Sequence, residues 1–64
     1  MDLKTYYEKD VIISDFDGKI FYGFVDYYVY PEDNENEKES IIIKTKSGDL
    51  IEFTEDDIAF IKSL

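Results

Sequence analysis

Cysteine, histidine, arginine and tryptophan are all missing from this 64-residue chain, and it has a single proline. Without cysteine there is no disulfide and no thiolate nucleophile. Without histidine as well there is no Cys or His metal site and no imidazole base. The absence of arginine removes the planar fork that grips phosphate and guanine through two hydrogen bonds at once. Long apolar runs are lacking too; none approaches the ~20 residues of a membrane span. Met1 to Glu8 have no basic-then-apolar pattern of a secretion signal, so the expected setting is the cytoplasm. Positive charge is scarce: seven bases, all lysine, face sixteen acids, for a net charge of −9. Such a chain repels nucleic-acid backbones and anionic membranes, so nucleic acid is an unfavoured partner and a membrane is not expected.

The catalytic inventory is equally thin. Ser14, Ser47 and Ser63 have no histidine to activate them. The three glycines are scattered and make no phosphate-cradling loop. Nothing in the spacing brings together two of Asp15, Asp17, Asp26, Asp56 and Asp57. Asp33, Glu35 and Glu37 alternate like calcium ligands, but Lys38 stands where the calcium loop needs glycine. No catalytic residue, cofactor or metal ligand is therefore assigned, and the chain reads as a non-enzyme.

What is present is a β protein in outline. A chain of this length is one domain, residues 1–64, and buries only about 60% of its unfolded surface. Six Tyr and five Phe supply a large apolar payload. With disulfides and Cys or His metal sites excluded, association with further copies is the open route to more burial. Residues 2–9 predict a short helix, capped by Asp2 and carrying Leu3, Tyr6 and Tyr7 on one stripe. Strands are expected at about 11–15, 19–30, 40–46, 49–54 and 58–63, with an acidic loop over 31–39. The turn at Asp17-Gly18 has two readings. A two-residue loop pairs Phe16 with Lys19; a three-residue loop with Gly18 left-handed pairs Asp15 with Lys19. The second is preferred, because it keeps Val11, Ile13, Phe21 and Val25 on one face. Gly23, inside the second strand, marks a bend, a bulge or a close approach. A bend there would let the strand serve two sheets and so explain why both of its sides are apolar, with Phe21, Val25 and Tyr27 on one and Tyr22, Phe24 and Tyr28 on the other. Gly48 turns the third strand into the fourth. The last segment carries helix and strand cues of about equal strength, since Thr54 precedes three acids while Ile58, Phe60 and Lys62 alternate.

Asp17-Gly18-Lys19-Ile20-Phe21-Tyr22-Gly23-Phe24-Val25 resembles the first conserved block of Sm-like (LSm) proteins. Phe53-Thr54-Glu55-Asp56-Asp57-Ile58-Ala59-Phe60-Ile61 resembles the second. The resemblance implies a five-stranded, strongly bent antiparallel small barrel, SH3-like, with a short N-terminal helix. It tips residues 58–63 toward strand. It also implies homo-oligomeric rings in which the fourth strand of one copy pairs with the fifth of the next. The interface residues are then Leu50, Ile51, Phe53, Ile58, Phe60 and Ile61.

The family's RNA-reading positions are not kept. Val29 and Asp33 stand at its Asp and Asn, and Thr54 and Glu55 at its Arg-Gly; only the aromatic before the Asp survives, as Tyr28. The leading expectation is a non-catalytic module for self-assembly or for binding an unidentified protein. Its rivals are a divergent RNA-binding Sm-like protein and an acidic mimic of nucleic acid that occupies a basic protein's groove. Tyr27, Tyr28 and Tyr30, with Tyr22, form a possible ligand surface, although tyrosines of this kind more often simply cover a core edge.

Overall fold

The computed structural model describes all 64 residues. Five antiparallel strands form one sheet: β1 (Asp10–Ser14), β2 (Ile20–Val29), β3 (Ser40–Lys44), β4 (Leu50–Thr54) and β5 (Phe60–Ser63). Their order across the sheet is β4-β3-β2-β1-β5. The first four strands are joined in sequence, and β5 returns to lie beside β1. The sheet is not closed: β4 and β5 are its two ends, and no pairing joins them.

The three-residue turn is the one adopted. Asp15 N–H donates to the Lys19 carbonyl at 3.0 Å, and Gly18 sits at φ 82°. The Asp15 carboxylate also accepts from the backbone N–H groups of Asp17 and Lys19, each at 2.9 Å. This register pairs Ile13 with Phe21 and Val11 with Gly23. Gly23 is a place of close approach. A Cβ there would lie 2.9 Å from the Lys44 carbonyl oxygen and 3.0 Å from an Ile43 methyl. The bulge comes three residues later, at Asp26: Val25 pairs with Ile43, and Tyr27 with Ile42. The extra residue reverses the expected parity of the aromatic run. Tyr28 packs against the core beside Val25, and Tyr27 turns outward.

The core is aliphatic. Leu3, Val11, Ile13, Val25, Ile41, Ile43 and Ile58 are buried, with Phe53 the one buried ring. Each such side chain contributes about 1.5–3 kcal/mol by leaving water. Seven of the eleven aromatic residues are exposed instead, so the expected aromatic payload lies mainly on the surface.

Two elements differ from expectation. The N-terminal helix is a single 3-10 turn, Leu3–Tyr6, and the Asp2 side chain does not cap it. It stops because Glu8, at φ 60°, gives its N–H to the Val25 carbonyl at 3.0 Å, which commits the chain to the sheet. The acidic loop, expected as loop alone, carries a short helical turn. Pro31–Asp33 makes a 3-10 turn, and the Asn34 amide donates to the Lys38 carbonyl at 2.6 Å and to Ser40 Oγ at 3.1 Å. At the other end, the helix cues of Thr54 to Asp57 yield one 3-10 turn, Glu55–Asp57. Asp57 accepts from both the N–H and the hydroxyl of Thr54. Ile58 then drops into the core in extended backbone, and the remainder is strand.

Candidate functional site

Two surfaces merit attention: the open ends of the sheet and a cluster of tyrosines. The ends follow from the ladder. The Glu55 N–H donates to the Glu39 carbonyl, and the Thr45 N–H to the Asp49 carbonyl. Antiparallel alternation therefore turns the N–H groups of Leu50, Glu52 and Thr54 away from β3. Asp57 accepts the one from Thr54, and those of Leu50 and Glu52 line the free edge of β4. On β5 the Leu64 N–H donates to the Asp10 carbonyl, so Ser63 and Ile61 direct theirs to the other free edge.

The side chains at these ends divide into three kinds. Phe53 and Ile58, expected at an interface, belong to the chain's own core, at 5% and 2% exposure. That removes their side chains from any contact surface; the small sheet needs them inside. Ile51 and Ile61 pack on the core but stay half-exposed, because each sits on an end strand with no neighbour beyond it. Leu50 and Phe60 are exposed, at 60% and 53%. Phe60 continues into an outer apolar row: its partner Ser14 faces Ile20, and Tyr22 and Phe24 follow along β2. Tyr22 and Phe24 border a hollow of about 920 Å³ with Lys44 and Lys46. Tyr22 thus lies apart from the other tyrosines and is not part of their surface.

Tyr27, Tyr28 and Tyr30 do come together, and the N-terminal turn adds Lys4 and Tyr7 to them. These five line a hollow of about 280 Å³. The Tyr28 and Tyr30 rings meet edge to face, with centroids 5.0 Å apart and planes at 83°. The Lys4 ammonium sits over the Tyr30 ring, 4.9 Å from its centroid. Nearness to the Tyr30 hydroxyl holds the Lys4 pKa above its ordinary value, and Asp2 adds to this. Burial pushes the Tyr28 phenol up, and the Glu39 carboxylate beside it pushes the same way. Glu39 also accepts the Leu3 N–H at 2.8 Å, which ties the N-terminal turn to the loop. Sequence reasoning missed Lys4 and Glu39. The three-residue spacing of Lys4 and Tyr7 was a usable signal; nothing local marked Glu39.

The loop over 31–39 and the turn at 55–57 also approach each other. Lys38 Nζ lies 3.5 Å from the Asp56 carboxylate. Between them is a hollow of about 430 Å³ bordered by Glu35, Glu52 and Asp57 and by no base. Phosphate placed there would meet three carboxylates. Among known proteins, no family model, no curated protein and no solved structure matches this chain.

Proposed function

We propose that the chain is a non-catalytic small-barrel module of the Sm-like kind whose work is assembly. Copies would join head to tail, the free edge of β4 on one adding to the free edge of β5 on the next. The observation that carries this reading is the strand order, which leaves β4 and β5 as two unpaired ends of one sheet. An end strand with free N–H and C=O groups is a template for another strand. Because the two ends differ, such a contact is heterologous and closes into a ring when the rotation per copy allows. The half-exposed Ile51 and Ile61 support it further, since an added strand would complete their burial. The barrel belongs to the same proposal, its wall being completed by the neighbour's strand. The acidic hollow at Glu35, Glu52 and Asp57, which Thr54 also borders, weighs against RNA on that side of the molecule.

Light scattering behind a sizing column tests the proposal. A monodisperse particle at a whole multiple of the 7.6 kDa chain is expected. A monomer that persists at high concentration would refute it.

A further inference from the structure

The tyrosine hollow is independent of the sheet ends, and its composition is specific. Four phenol rings surround a small space, two of them set nearly perpendicular, so faces and edges both line it. Aromatic faces carry negative potential and attract ammonium groups, most strongly when the cation is poorly hydrated. The fold already demonstrates the contact, because Lys4 places its ammonium over Tyr30. Asp2 and Glu39 are close enough to act on Lys4 and Tyr28, and the chain as a whole carries −9. A cation is thus drawn toward this face at long range and held by rings at short range.

We propose that this hollow receives a methylated lysine side chain from a basic segment of a partner protein. Lys4 is the internal occupant that the incoming ammonium displaces. Methylation matters because it strips water from the cation while keeping its charge, and rings bind such a cation better than a bare ammonium. The bulge at Asp26 makes the site possible by turning Tyr27 outward beside Tyr30.

The test uses three versions of one lysine-rich peptide: trimethyl-lysine, plain lysine, and the neutral analogue with carbon in place of the trimethylated nitrogen. Binding is followed by NMR of the tyrosine rings. The trimethyl peptide should bind most tightly, shift Tyr7, Tyr27, Tyr28 and Tyr30, and weaken as salt rises. Lys4→Ala should tighten it about two- to fivefold, by removing the internal competitor. Tyr30→Leu keeps an apolar wall and should remove the preference for the charged peptide over its neutral analogue. Equal binding of the neutral analogue would overturn the proposal. So would shifts centred on Tyr22 and Phe24, weaker binding by Lys4→Ala, or no binding by any peptide.

Discussion

Gly23 and Gly18 both serve the hairpin of β1 and β2, and each is needed for a different reason. At Gly18 the backbone is left-handed with open space around it. At Gly23 the backbone is ordinary and the space is gone, filled by the Lys44 carbonyl and the Ile43 side chain. Gly23→Ala should therefore cost about 1–3 kcal/mol, the range for forcing atoms into a packed site. Gly18→Ala should cost about 1 kcal/mol from conformation alone. Urea midpoints at constant slope will separate the two. Tyr28 governs a second outcome. Its folded pKa lies above the unfolded one, so the folded state holds the proton more firmly. The resulting stability is present below the ordinary phenol range and is lost as pH rises through the folded pKa. Lys4, raised likewise, acts in the same direction. Unfolding free energy should fall on the alkaline side, and Tyr28→Phe should flatten part of that fall in denaturant titrations at stepped pH.

Among the elements, β5 is the most informative, because it is held on one side only. Ser63→Pro would remove an N–H that points to the free edge while sparing the bonds to β1. Assembly should be lost with little change in melting temperature; an unchanged particle mass in this variant would place the contact elsewhere. The elements also show how much of the fold was legible. Four strands and the Gly18 turn follow from apolar patterning and from the spacing of Asp17-Gly18, whereas the fifth strand carries helix and strand cues alike and is tipped to strand only by the resemblance to Sm-like proteins. Alternation fails at Tyr27 and Tyr28, since an inserted residue leaves no mark in composition; Asp26 resembles any polar residue on an outer face. The N-terminal helix fails because the Glu8 N–H is claimed by Val25, a partner seventeen positions away. The candidate site was half legible. Tyr27, Tyr28 and Tyr30 were visible as a run, whereas Lys4 and Glu39 join them only through tertiary contacts.

At the scale of the molecule, charge opposes the proposed assembly. Each copy brings −9 to any ring, and only one lysine, Lys38, forms a side-chain ion pair. Like-charged copies repel over about 10 Å at 0.1 M salt and over less as salt increases. Assembly should therefore strengthen with ionic strength, read as a rise in scattering mass at fixed protein concentration. A fall in mass with salt would mean that the contact is held by opposite charges instead of by strand pairing and apolar burial.

The aliphatic core has an optical corollary. No tyrosine is fully buried, and the chain has no tryptophan. Ultraviolet emission from this protein thus arises largely at its surface, from Tyr7, Tyr22, Tyr27 and Tyr30, while Tyr6 and Tyr28 pack against the core. Unfolding should alter that emission chiefly through Tyr6 and Tyr28, while a neighbouring copy or a ligand laid over Tyr22, Tyr27 or Tyr30 should alter it without unfolding. The molecule thus carries its own label for association, set on rings that folding leaves exposed.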